Sequence, residues 1–187
     1  MNFLSILMIG IGLSMDAFAV SLTMGLNTTK ENKLKIAIKA GIFFGLFQGL
    51  MPLIGWLLGV KFTNNIQWID HGIAFGLLGF IGGKMIYESL TGDEEEENEV
   101  DSSIKKFLIL AIATSIDALA VGVSFAFLSV NILSSAIIIA CTTFALSFVA
   151  VYVGRVFGKV LKSKSELIGG IILVIMGVKI LIEHLFF

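Results

Sequence analysis

Two aspartates, Asp16 and Asp117, stand in the middle of long apolar stretches. A carboxylate near the bilayer centre costs roughly 2.5–3.5 kcal/mol by insertion scales, so a chain keeps one there only where a cation, a proton or a polar cavity compensates it. Two such acids brought together with hydroxyl, amide and carbonyl oxygens make a site for a hard cation. Magnesium, calcium and manganese all suit such oxygens, and this chemistry alone does not choose among them. A zinc or copper cage of cysteine and histidine has no basis here: Cys141 is the only cysteine, and His71 and His184 sit at the ends of apolar stretches. The same residues exclude an enzyme, since no nucleophile and base occur together.

The other oxygen donors follow from helical spacing, because residues three, four and seven apart share a face. Around Asp16 these are Gly12, Ala19 and Thr23, and around Asp117 they are Ala113, Thr114, Ala120 and Ser124. Gln48 adds an amide, and Pro52 frees a backbone carbonyl nearby. The expected metal set is therefore Asp16, Asp117, Thr23, Gln48, Thr114 and Ser124. Secondary candidates are Ser14, Ser115, Thr142, Thr143, Ser147 and Asp70. Ser14 and Ser115 precede the acids by two residues, off their face in a regular helix, and join only where the helix unwinds. The competing assignment for every hydroxyl is a bond to its own helix backbone. Lys84 with Glu88, and Lys179 with Glu183, are spaced i, i+4 at span ends. They read first as snorkelling ion pairs and second as gating groups.

These residues need a membrane to sit in. Hydrophobic residues make up 57% of the 187 and charged ones 14%. A soluble domain carries about a quarter charged residues, so this chain lacks a polar shell and its solvent is lipid. About 20 apolar residues span the hydrocarbon. Six spans satisfy that: Phe3–Leu26, Ile36–Val60, Ile66–Leu90, Ile104–Leu128, Ile132–Phe157 and Leu167–Leu185. All are expected to be helices, because lipid satisfies no backbone hydrogen bonds. The first is expected to stay as a span rather than be removed as a signal peptide, since no basic segment precedes it. Residues 91–103 form an acidic, solvated loop that also bears on cation supply. Lysines and arginine concentrate at the first, third and fifth connections, which places both termini outside and the acidic loop in the cytoplasm.

The chain also repeats itself. Ser14-Met15-Asp16-Ala17-Phe18-Ala19-Val20 parallels Ser115-Ile116-Asp117-Ala118-Leu119-Ala120-Val121, and Gly82 to Leu90 parallels Gly177 to Leu185. Gly55 and Gly59 correspond more weakly to Gly154 and Gly158. Three spans per copy force the second copy to cross the other way up. The expected fold is an all-α membrane protein of six transmembrane helices in two inverted three-helix repeats, residues 1–90 and 104–187, with the acidic loop between. In transporters built this way, substrate sites lie near the midplane at the repeat interface.

Ser14-Met15-Asp16-Ala17-Phe18-Ala19, Pro52-Leu53-Ile54-Gly55-Trp56, Gly82-Gly83-Lys84-Met85-Ile86, Ala113-Thr114-Ser115-Ile116-Asp117-Ala118 and Ala126-Phe127-Leu128-Ser129-Val130-Asn131-Ile132 resemble the MntP family of bacterial manganese exporters over essentially the whole chain. That family is similar in turn to the lysine-exporter superfamily. The resemblance implies export of Mn2+ as substrate, no permanent cofactor, and Asp16 and Asp117 as the intramembrane acids. It also implies an acid in the second span, where this chain has Gln48. The expected partners are the manganese ion and the lipid bilayer of the plasma membrane; nucleic acid is not expected, and a homo-oligomer is compatible with the sequence. The rivals are a transporter or channel for another divalent cation, and a structural, sporulation-type membrane protein.

Overall fold

The computed structural model describes residues 1–26, 28–63, 75–76, 79–81, 83–84, 86–87, 90, 103–128 and 130–186, with side chains throughout these except at 62–63, 155–166, 169–170, 176, 179–180 and 183–186. Among the described residues the chain is helical and has no strand. The long elements are α1 (Phe3–Leu26), α2 (Lys33–Thr63), α3 (Ile104–Ala113), α4 (Ile116–Phe127) and α5 (Ile132–Phe186). Polar residues cap the starts of α1, α3 and α5. Asn2 accepts from the Ser5 amide at 2.9 Å, Ser103 from Lys106 at 3.3 Å, and Asn131 from Ser134 at 3.1 Å. Each satisfies an amide that the helix ladder leaves open.

Three helices among the described residues are long and apolar enough to cross a membrane: Phe3–Leu26, Lys33–Lys61 and Ile132–Gly154. Ile104–Ala113 and Ile116–Phe127 make a fourth if the bent pair is one span. That pair departs from the expected continuous helix over 104–128, for its halves meet at 43°. Thr114 and Ser115 cause the break. Both hydroxyls donate to the carbonyl of Ala111, while the Ser115 amide donates to Ile112 instead, at 3.2 Å. Back-bonding hydroxyls of this kind bend helices, and here two of them serve one carbonyl.

The last helical run also differs from the expected pair of spans, because the connection between them is itself helical. Its first part passes Gly10 at Ile139 and Gly25 at Val151; its later part returns to Gly12 at Leu173. Straight helix between Ile139 and Leu173 would extend roughly 50 Å, so the run doubles back beyond Gly154 and lies against α1 twice. The third span falls largely outside the described residues. Its described part is helical, and Ile81 joins the core.

Sequence neighbours are not the main packing partners. α1 packs chiefly on α5, and α2 on α5 and α4, while α1 and α2 touch only slightly. Two apolar clusters result. One gathers Ile9, Leu13 and Met15 with Ile81, Ala118, Val121, Phe125, Ile139 and Leu173. The other gathers Ala17 and Met24 with Ala37, Phe44, Phe107, Ala111 and Val151. Asp16 lies between Met15 of the first and Ala17 of the second. The break before Asp117 lies between Ala111 and Ala118, again one from each. The polar site therefore occupies the junction of two apolar cores.

Candidate metal site

Asp117 is the second residue of α4, so the helix start that follows the break fixes its position. One carboxylate oxygen, Oδ1, accepts from the Ala118 amide at 2.7 Å. The other, Oδ2, is buried and makes no hydrogen bond among the described residues. Asp16, half-buried on the unbroken α1, acts on Asp117 electrostatically, as does the side-chain amide of Gln48. The three residues picked out by the sequence as two acids and an amide thus converge from α1, α2 and α4.

Gln48 is wholly buried, and its orientation is fixed. Nε2 donates to the Leu13 carbonyl of α1 at 2.9 Å. Its oxygen, Oε1, is buried without a partner among the described residues. The backbone adds a third oxygen: Pro52 has no amide hydrogen, so the helix ladder leaves the carbonyl of Gln48 without its usual donor. A buried acceptor left without a donor costs about 1–3 kcal/mol. A donor or a cation satisfies such an acceptor.

Except for Ser147, the candidate hydroxyls are tied to backbone, as their competing assignment has it. Thr23 donates to Ala19, Thr114 to Ala111, Ser124 to Ala120 and Thr142 to Ile138. A hydroxyl that donates its proton keeps oxygen lone pairs for a cation. Thr114 adjoins the break. Thr23 and Ser124 stand seven residues beyond their aspartates, about 10 Å along the helix, which sets them apart from the two carboxylates. Ser14 bonds Gly10 and contacts Thr143 at 2.7 Å across the α1–α5 interface, away from Asp16. Ser115 lies in the break itself. Ser147 is buried without a partner among the described residues, and so is Ser21, which stands five residues from Asp16 and so falls outside the spacing that selects the other donors. Asp70 and Glu88 lie outside the described residues, as do the side chains of Lys179 and Glu183; Lys84 is exposed. Among the described residues no three His, Cys, Asp or Glu side chains cluster to hold a metal.

Gln48 also links α1 to α2, which otherwise barely meet. Intramembrane side-chain hydrogen bonds average about 0.6 kcal/mol and reach about 1.7. Gln48→Met keeps the volume and loses the bond to Leu13. It is expected to lower the thermal midpoint of the detergent-solubilised protein by about 2–4 °C, read by intrinsic fluorescence on heating.

Comparison with known proteins gives one consistent result. The family model described as "Mntp: Putative manganese efflux pump" matches residues 31–181. A protein of Clostridium botulinum with the name "Putative manganese efflux pump MntP 2" is 48% identical over 194 residues, covering 98% of this chain and 96% of its own. A Clostridium perfringens protein called "Putative manganese efflux pump MntP" is 49% identical over 205 residues, with 98% and 96% covered. One from Acetivibrio thermocellus under the same name is 50% identical over 185 residues, with 99% and 93% covered. No solved structure matches the chain.

Proposed function

The chain belongs to the MntP family, a family of transporters and not of enzymes, and from that premise we propose that it exports Mn2+ from the cytoplasm through a midplane site built on Asp16 and Asp117. The observation that carries this reading is the approach of the two acids: Asp117, whose Oδ2 is buried without a hydrogen bond among the described residues, lies close enough to Asp16 and to the Gln48 amide for both to act on it. Thr114 completes the ring of oxygens at the break. Thr23 and Ser124, each two turns from its acid, line the approaches on either side. Ser14, Ser115, Thr142, Thr143 and Ser147 support the site, with Asp70 near the outer exit. Lys84–Glu88 and Lys179–Glu183 pair at opposite membrane faces.

In this reading the protein has six spans in two inverted repeats, 1–90 and 104–187, with both termini outside the plasma membrane and residues 91–103 in the cytoplasm. The interleaved packing supports it: Gly154 of the fifth span meets the Leu22 backbone of the first, and Gly55 of the second meets the Leu119 backbone of the fourth. Each contact joins the central span of one repeat to the first span of the other.

Energetics set the coupling. A dication crossing 100 mV gains or loses about 4.6 kcal/mol. With the interior negative, a passive pore admits Mn2+. Export needs an exchange, and two carboxylates that release Mn2+ outside while taking up two protons make it electroneutral. Rocking of one repeat against the other alternates access.

Expression in a host that lacks its own exporter tests the reading. After a manganese challenge, the parent chain is expected to lower cellular manganese several-fold. Raised manganese would identify a channel or importer instead, and unchanged manganese with normal insertion would favour the structural role.

A further inference from the structure

The two Ser-x-Asp-Ala copies share a sequence but not a conformation. At equivalent positions the same bond occurs twice: Ser14 donates to Gly10, and Ser115 to Ala111, both at 2.5 Å. Yet α1 runs unbroken through Ser14, while the second copy is broken at Thr114–Ser115. We propose that these are the two positions of one switch, that transport moves the break from the second copy to the first, and that Thr143 and Gln48 are positioning residues holding the first copy straight. The proposal rests on the export reading for what the switch moves, and on the helices alone for the switch itself.

The difference lies in what each copy touches. In the first, Gln48 grips the Leu13 carbonyl and Thr143 meets the Ser14 hydroxyl. These are the two residues aligned with Thr114 and Ser115, where the second copy breaks. Leu13 also brings no hydroxyl of its own, whereas Thr114 supplies the second donor to Ala111. The first copy is therefore straight because it is held, although its serine back-bond is the one that bends helices.

The hold is built to open. Ser14 and Thr143 each own one hydroxyl proton. Three contacts compete for those two protons: Ser14 to Gly10, Thr143 to Ile139 at 2.9 Å, and Ser14 with Thr143 at 2.7 Å. When the two serve the backbone carbonyls, the bond between helices lapses and neither hydroxyl is orphaned. A contact whose loss leaves no unsatisfied group costs little to break, as a transport cycle requires. The carboxylates sit next to both hinges, so a cation drawing on Asp16 or Asp117 acts directly on the segment that must bend.

Amide hydrogen exchange on the purified full chain tests this, with Thr143→Val removing the hydroxyl at constant shape. Exchange is expected to rise about five- to tenfold over residues 10–17 and to fall by a similar factor over 112–118. Thr143→Ser restores the parent pattern. Opposite changes in the two copies are what a switch produces; general loosening raises both. Unchanged exchange, or a rise in both segments, overturns the proposal. The cellular manganese assay on the same proteins separates the two readings. A parent that exports while its exchange pattern fails removes only the switch. A parent that does not export, with opposite changes intact, keeps the switch and removes the metal.

Discussion

Asp117→Asn is expected to abolish Mn2+ binding while leaving a protein that folds at least as well as the parent. The variant keeps the shape of the side chain and an oxygen for Ala118 to donate to, and loses the charge. Two unit charges 4 Å apart interact by about 4 kcal/mol at an effective dielectric of 20, and a dication doubles that. Desolvation cancels part of the gain. A remainder of about 3 kcal/mol already weakens binding more than a hundredfold. Stability moves the other way. Without metal, Asp16 and Asp117 act on each other as like charges at the junction of two apolar cores. Neutralising one removes that repulsion and a buried charge, a trade of stability for function often met at active sites. Asp16→Asn is expected to behave alike, and Asp117→Glu to retain part of the binding. The room-temperature electron spin resonance of aqueous Mn2+ reads the outcome, since bound metal loses the free-ion signal. The parent is expected to deplete it and both asparagine variants to leave it. Binding retained by Asp117→Asn would remove that acid from the site; binding lost together with the fold would make its role structural.

The sequence made the acids legible because charge inside lipid is rare and expensive. The motif repeat pointed to the same residues independently. Gln48 was legible for the same reason, as a lone amide in an apolar span. The sense of its amide was not, because that depends on the Leu13 carbonyl of another helix. α1 was legible to its ends, since Asn2 and the apolar run fix it locally. The break at Thr114–Ser115 was not. No glycine or proline marks it, and the Ser14 copy carries the same serine in a straight helix. What decides between them is a second hydroxyl at Thr114 and the partners Gln48 and Thr143, which are tertiary facts. The helical connection within α5 was not legible, because the polar residues between Phe157 and Leu167 read as a loop. The spacing rule placed Thr23 and Ser124 on the faces of their acids, but it says nothing of depth, and two turns of helix separate them from the carboxylates.

Gly55→Leu and Gly122→Leu are each expected to eliminate the folded protein. A Cβ at Gly55 would fall on the carbonyl of Leu119, and one at Gly122 on the backbone of Pro52. These obstacles are main chain, which cannot rotate aside as a side chain can. Lipid gives helices no hydrophobic reason to associate, so close backbone packing supplies much of the attraction. Forcing α2 and α4 apart forfeits those contacts and moves Gln48 relative to Asp117. Overpacking by a methyl costs about 1–3 kcal/mol, so Gly55→Ala and Gly122→Ala should survive with lowered midpoints, while the leucine variants exceed what a marginally stable fold withstands. The same argument applies at the other crossing, where Gly25 and Gly154 sit on the backbones of Val151 and Leu22. Gly79 supplies the contrast: a Cβ there meets nothing within 4 Å among the described residues, and Gly79→Ala is expected to change stability by less than about 0.5 kcal/mol. Monodisperse yield after detergent extraction reads all of these variants. A Gly55→Leu protein that elutes like the parent would mean that α2 and α4 do not cross this closely. Matched losses at Gly55 and Gly154, the pair aligned by the repeat, would mean that both crossings are built on the same device.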